Sequence, residues 1–417
     1  MKLERTKLHI LRKVGEAEKL ARTGISLHCH TEHSREMLDF IPHYAEKLPI
    51  IATFWRRERD RYIKRNGKGI NFNTAYWSPP LPPEEVFAIE RKQIESAGLN
   101  PFVSLTDHDN IEASFLVEQR SGVIAPVSLE WTVPFEYGFF HVGVHNLPRE
   151  SANEISERLL DFTFNSGQYD ENKLNDLFAY LNDFRSILIV LNHPLWDIEI
   201  VGQKRHEELL KSFIKKHINW IHAFEINGFR SWSENKAVIE MAEYLGLPVV
   251  TGGDRHGRKP NTVVNLTNSA SFEEFVDEIR IDKRSTAVLM PAYEYPLHWR
   301  QLESFAEILS HYPHFRIGRQ NWWDRVFVDT GDGKGLCSLS GHGWKGGGPK
   351  WLRASVKVLG FLGGPKMRPL FRIARKKKDR LPRSIESARF VSPDLGDIAP
   401  PKISETWISQ SAADPLG

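Results

Sequence analysis

Short apolar runs rich in β-branched and aromatic residues recur at 25–28, 101–105, 123–131, 139–144, 186–191, 223–226 and 247–251, with a further run at 285–290. Amphipathic stretches separate most of them. Apolar spacing of three and four predicts helices at 82–99, 151–165, 172–184, 207–218, 234–245 and 272–279. In 82–99 prolines open the stretch, Glu84 and Glu85 occupy its first turn, and Gly98 ends it. Such regular alternation leaves few solutions. The expected fold is α/β, a parallel sheet covered by helices, either open or closed into a barrel.

The rhythm breaks after about residue 300. One more helix is expected at 298–310, then a glycine-rich stretch at 331–348 that does not fit phosphate-loop spacing and reads as flexible loop. In 351–375, Gly360, Gly363, Gly364 and Pro365 interrupt any helix, so a packed or partly disordered tail is expected there. Residues 376–417, rich in Pro, Ser and charge, are expected to be disordered. The domain reading is thus a barrel-like α/β unit at 1–300, an extension at 301–375 and a tail at 376–417. Residues 301–417 hold 19 Lys and Arg against 11 Asp and Glu, although the whole chain is only +3. A second basic segment, 56–68, carries seven basic residues and two acids. Either region would attract a polyanion if it is not simply a solvated face.

No run of about 18 apolar residues occurs, so no membrane-spanning helix is expected, and residues 1–24 lack the apolar stretch of a secretory signal. With only Cys29 and Cys337, no disulfide framework exists. The expectation is a soluble, cytoplasmic protein.

Histidines and carboxylates gather where the strand-like runs end. His28 and His30 close the first, Asp107, His108 and Asp109 the second, and Glu130 the third; His141 lies on the fourth, His193 follows the fifth, and Asp254 and His256 follow the run at 247–251. Functional residues of a parallel barrel collect at the C-terminal edge of its strands. A two-residue separation puts His28 with His30, and Asp254 with His256, on one face. The same alternation turns Cys29 away. Imidazole nitrogen and carboxylate oxygen are ligands for Zn, Mn and Fe. Six histidines and two acids exceed the need of one tetrahedral ion, so two or three adjacent ions are expected, able to activate a water for attack on an ester. His206, His217 and His222 sit on or near helical stretches and receive no role; His33, His43 and His145 are left open.

These residues form a series of motifs: Leu27-His28-Cys29-His30-Thr31, Leu105-Thr106-Asp107-His108-Asp109, Ser128-Leu129-Glu130, Phe140-His141-Val142-Gly143, Leu191-Asn192-His193-Pro194 and Thr251-Gly252-Gly253-Asp254-Arg255-His256-Gly257. The series resembles the PHP (polymerase and histidinol phosphatase) superfamily of metal-dependent phosphoesterases over about residues 24–290. The resemblance implies a distorted (β/α)7 barrel and a trinuclear centre. His28, His30, Glu130 and Asp254 would hold the first ion. Glu130 would bridge to a second, bound by His141 and His193. A third would be held by His108 and His256 with one residue from the loop after His30. Hydroxide at the ions ligated by Glu130 and Asp254 would be the nucleophile.

Two positions depart from the family's pattern. Where the family commonly reads Ser-Asp-Gly, this chain reads Ser34-Arg35-Glu36, which makes Glu36 the candidate third-site ligand with His33 behind it. Arg255 replaces a small residue and is a candidate for gripping substrate phosphate, the alternative being an outward salt bridge. An insertion at about 37–80 leaves from the loop bearing His30 and is expected over the active-site face. It interleaves basic residues with Phe54, Trp55, Tyr62, Phe72, Tyr76 and Trp77, which would suit either a nucleotide substrate or a helix packing its aromatics inward. The expected activity is hydrolysis of a small phosphomonoester, nucleotide or oligonucleotide. Hydrolysis of a C–N bond by two metals, or a non-catalytic metal-binding scaffold, are the alternatives.

Overall fold

The structure is a computed structural model that describes residues 2–47, 49–165, 169–197, 201–331, 333, 335–342, 344, 346–373, 380–396 and 398. Its strands are β1 (Thr6–Ile10), β2 (Thr23–Ser26), β3 (Glu36–Met37), β4 (Asn71–Trp77), β5 (Asn100–Val103), β6 (Val127–Phe135), β7 (Gly138–Leu147), β8 (Leu188–Leu191), β9 (Ala223–Asn227), β10 (Val249–Gly252), β11 (Val263–Thr267), β12 (Ser285–Leu289), β13 (Val326–Asp329) and β14 (Leu336–Ser338). The helices are α1 (Ile41–Lys47), α2 (Pro49–Asn66), α3 (Pro83–Ser96), α4 (Glu112–Ser121), α5 (Ala152–Asn165), α6 (Glu171–Asp183), α7 (Gln203–His217), α8 (Trp232–Tyr244), α9 (Phe272–Arg280), α10 (Leu297–Ile308), α11 (Lys350–Leu362) and α12 (Arg368–Ile373).

The α/β architecture agrees with the alternation in the sequence, but its sheets are mixed rather than parallel. One runs β1-β12-β11-β2-β5 and another β10-β9-β8-β7-β6. Only two residues separate β6 from β7, and Glu136 at φ 50° turns the chain between them, so this pair can only be an antiparallel hairpin. The two sheets meet through isolated parallel bridges, Cys29 to Arg255 and His108 to Glu130, rather than as one continuous closed sheet. Both junctions lie beside candidate site residues.

Helices pack on these sheets by the pattern read from the sequence. Asp170, Ser231 and Ser271 cap α6, α8 and α9 by accepting hydrogen bonds from backbone N–H groups in the first turn. The main apolar core includes Trp131, Phe135, Phe178, Phe213 and Phe224, all effectively without solvent exposure. Phe390, Leu395 and Ile398 are buried in that same core, and the N–H of Val391 donates to Glu240 Oε1 at 2.6 Å. This part of the segment expected to be disordered therefore has apolar side chains to dock, and they are docked. Residues 376–379, 397 and 399–417 lie outside the described residues.

A third sheet, β14-β13-β4-β3, joins the insertion to the C-terminal extension. Glu36 pairs with Trp77, Val326 also with Trp77, and Phe327 with Tyr76. Leu38, Ala75, Val328 and Leu339 form a small core beneath it. Contrary to the expectation for 351–375, α11 passes through Gly360 and ends at Leu362. The glycine that matters is Gly363, where a Cβ would collide with the carbonyl of Leu302 and the methyl of Ala306 on α10; the small residue permits close packing of the two segments. No helix among the described residues is long and apolar enough to cross a membrane.

Candidate metal centre

The loops and strand ends that bear the predicted residues converge beneath the third sheet. His28 and His30 follow β2, His108 follows β5, Glu130 and His141 lie within β6 and β7, His193 follows β8, and Asp254 and His256 follow β10. His193 and Asp254 have φ of 28° and 53°. Left-handed backbone at such residues is uncommon and tends to cluster at functional sites.

Glu130 is the centre of the group. Its Oε2 lies 2.9 Å from Nε2 of His28, 3.3 Å from Nε2 of His30 and 3.4 Å from Nδ1 of His108. Its Oε1 lies 3.3 Å from Nδ1 of His141 and 3.2 Å from Nε2 of His193, and accepts a hydrogen bond from Asn192 Nδ2 at 3.0 Å. Asp254 Oδ1 stands 3.4 Å from His30 Nε2. Glu36 completes a third corner, with Oε2 3.3 Å from Nε2 of His108 and Oε1 3.1 Å from Nε2 of His256. Four three-residue groups here have the donor geometry to hold a cation: His28, His30 and Asp254; His28, Glu130 and His193; His30, His108 and Glu130; His30, Glu36 and His256.

Three ring nitrogens in this cluster, Nδ1 of His108, Nδ1 of His141 and Nε2 of His256, are buried and face carboxylate oxygens at 3.1–3.4 Å without forming an aligned hydrogen bond among the described residues. Divalent cations would satisfy several at once, and the nitrogen and oxygen donors suit Zn, Mn or Fe.

Electrostatics run in the same direction. Burial pushes the carboxyl groups of Glu36, Glu130 and Asp254 towards neutrality, but the surrounding imidazoles hold all three below the usual carboxylate range. Burial opposes charge on His30 too; the carboxylates of Glu36, Asp254 and Glu130 outweigh it and raise its pKa to about 10. His28 is raised by Glu130 and Glu225 against the same burial penalty. At His141 burial dominates and the pKa falls to about 4, leaving a neutral ring at pH 7. The cluster thus holds negative charge that protons neutralise in part and metal ions could neutralise instead.

Of the positions left open, His33 turns away to pair with Glu112 at 2.9 Å, His43 is exposed on α1, and His145 is buried with Nδ1 2.9 Å from Ser104 Oγ. His206 and His217 are packed on α7, and His222, just before β9, bonds the β8 backbone at Ile189 and Asn182 of α6. Cys29 faces Ser26 and Asn261.

Arg255 does not face the cluster. Its Nε donates to the carbonyl of Lys259 at 2.9 Å, its guanidinium lies over Phe229, and it lines a separate small pocket with Tyr295 and Glu303. The alternation that brings Asp254 and His256 to one face sends the residue between them to the other.

Three site residues receive no role from the sequence. Glu225 on β9 accepts a hydrogen bond from His28 Nδ1 at 2.6 Å. Asn192 holds Glu130. Arg230, in the turn after β9, lies over the indole of Trp196 at the edge of the cluster. A signal for Glu225 did exist: a carboxylate inside an apolar strand, Ala223-Phe224-Glu225-Ile226, is costly to bury without a partner.

The metal-ligand candidates open into a cleft of about 2820 Å³ roofed by the third sheet and walled by α2 and α11. Trp77 stands above His256 with ring centroids 5.4 Å apart.

No family model and no curated protein matches the chain. Among solved structures, it is similar to a Bifidobacterium adolescentis protein provisionally named a metal-dependent phosphoesterase, at 12% identity and a TM-score of 0.29. That similarity covers 48% of this chain and 91% of the other.

Proposed function

We propose that this chain is a metal-dependent phosphoesterase of the PHP type, hydrolysing a phosphate ester at a cluster of two or three divalent ions. The observation that carries this reading is the convergence of six imidazoles and three carboxylates on one buried point, with ring nitrogens facing carboxylate oxygens at 2.9–3.4 Å. The parallel bridges at Cys29–Arg255 and His108–Glu130 support a distorted seven-stranded barrel made of β2, β5, β6, β7, β8, β9 and β10.

Bound divalent ions would supply Lewis acidity towards a phosphoryl oxygen and lower the pKa of a water. The chain's residues supply the arrangement. Glu130 presents one oxygen to the side of His28, His30 and His108 and the other to the side of His141 and His193, as a bridging ligand must. Asn192 keeps that carboxylate oriented. Asp254 contributes a further carboxylate, and Glu36 serves the corner of His108 and His256. Glu130 and Asp254 are the carboxylates that would hold the ions whose chemistry includes activating a water.

The cleft is larger than the roughly 300–1,000 Å³ typical of small-ligand sites. Arg57, Arg61 and Arg65 of α2 line it, which favours a substrate with anionic groups beyond the one being hydrolysed, such as a nucleotide or short oligonucleotide.

Metal content per chain after purification without chelator, paired with hydrolysis of p-nitrophenyl phosphate before and after chelation, tests the reading. Two or three ions and chelator-sensitive hydrolysis are expected. A fully loaded protein inert towards phosphate mono- and diesters would favour C–N bond hydrolysis. No uptake of added Mn or Zn would end the metal reading.

A further inference from the structure

Arg230 occupies an unusual position for a charged side chain. It is 8% exposed, and its Nε is buried with no hydrogen-bond partner among the described residues. Its guanidinium carbon lies 3.8 Å from the ring centroid of Trp196, close enough for a cation–π contact that holds the planar group flat. The nearest carboxylates are beyond hydrogen-bond length: Glu234 Oε1 is 3.7 Å from Nε, and Asp254 Oδ2 is 3.9 Å from Nη2. They neutralise the charge without occupying the donors.

The backbone below it is fixed. The carbonyl of Arg230 accepts hydrogen bonds from Tyr293 Oη and Arg300 Nη2, both at 3.0 Å, and its N–H donates to Asn227 at 3.1 Å. Ser231 then caps α8. The side chain therefore extends from a rigid turn at the end of β9 into the same cleft as Asp254, His193 and His141.

We propose that Arg230, held on Trp196, grips the non-bridging oxygens of the substrate's phosphate at the metal cluster. This rests on the phosphoesterase reading above. A guanidinium presents paired donors that match two oxygens of one phosphate. The stack on Trp196 fixes that fork beforehand, so little side-chain freedom is lost on binding. Arg255, by contrast, has its guanidinium committed to Lys259 and Phe229 on another face.

The test is calorimetric titration of inorganic phosphate into the metal-loaded full chain, with metal content measured on the same samples. Arg230→Gln is expected to weaken phosphate binding about ten- to a hundredfold, as loss of charge-assisted hydrogen bonds does, while metal content stays at the wild-type value. Arg230→Lys keeps charge and bulk but loses the fork, and should fall in between; it also serves if the glutamine variant does not fold. Wild-type phosphate affinity in a folded, fully loaded variant would overturn the assignment. So would loss of metal in step with loss of phosphate, because Arg230 would then act only through Asp254. If the loaded wild type neither binds phosphate nor hydrolyses a phosphate ester, the phosphoesterase reading itself fails and this assignment with it.

Discussion

The carboxylate of Glu225 stands 2.6 Å from Nδ1 of His28, and this contact decides which nitrogen of the ring faces Glu130. With Nδ1 donating to Glu225, Nε2 is directed to the cluster, 2.9 Å from Glu130 Oε2. Gly252 makes room for the pair: a methyl there would overlap the Glu225 carboxylate and press on His28 Cβ. A carboxylate behind a ligating imidazole fixes its tautomer and raises its basicity.

Glu225→Gln is accordingly expected to lower metal affinity about 10- to 100-fold with the fold retained. Competition against a chromophoric chelator measures it. Unchanged affinity would show that His28 is oriented by its packing alone.

Asp254→Asn should abolish metal-dependent hydrolysis, because it removes a charged ligand with little change of shape. Metal content and p-nitrophenyl phosphate turnover are the readouts. Turnover near wild type would remove Asp254 from the centre.

Glu36→Gln should reduce the metal bound per chain by about one equivalent, since among the described residues the His108–His256 corner has no other carboxylate within ion-pair distance except Glu130 and Asp254, which also serve the other corners. Elemental analysis decides between this and a two-ion centre, in which Glu36 would leave the count untouched.

Metal uptake should release protons, and affinity should rise with pH. The sign follows from His30: its pKa of about 10 in the metal-free fold means a protonated ring at pH 7, while a ligating ring must be neutral. In the metal-free protein the same shift contributes stability that is fully present below the unfolded value of about 6.5 and is lost as pH rises through about 10. Titrating metal at one pH in buffers of different ionisation enthalpy counts the protons; zero release would contradict the protonated His30.

Phe390→Ala is expected to destabilise the protein by about 3 kcal/mol, in the range for a buried aromatic truncated in a core. Chemical denaturation reads this directly. A change near zero would mean that the segment around Phe390 contributes nothing to the fold.

The positions that end strands were legible because strand ends are visible as transitions in apolar pattern. His28, His108 and Asp254 sit at or near such transitions, whereas Glu130, expected to close its run, lies mid-strand in β6. Asn192 and Arg230 were not legible, since their roles depend on turn geometry that no periodicity encodes. Of the two alternatives for Arg255, the outward one holds, and the alternation that excluded Cys29 already favoured it. The short β1 and β11 escaped notice, as five-residue strands at the edge of a clear pattern do. The burial of Phe390, Leu395 and Ile398 was hidden by the Pro, Ser and charge around them, which dominate composition while three apolar anchors do the docking.

Glu36 belongs to β3, whose partner β4 comes from the insertion, and β4 is clasped in turn by β13 from beyond residue 300. The roof and one corner of the ligand cluster are therefore a single mechanical piece. Any shift of that sheet would carry Glu36 with it, so the spacing of this carboxylate from His108 and His256 is set by strand pairing with two segments remote in sequence.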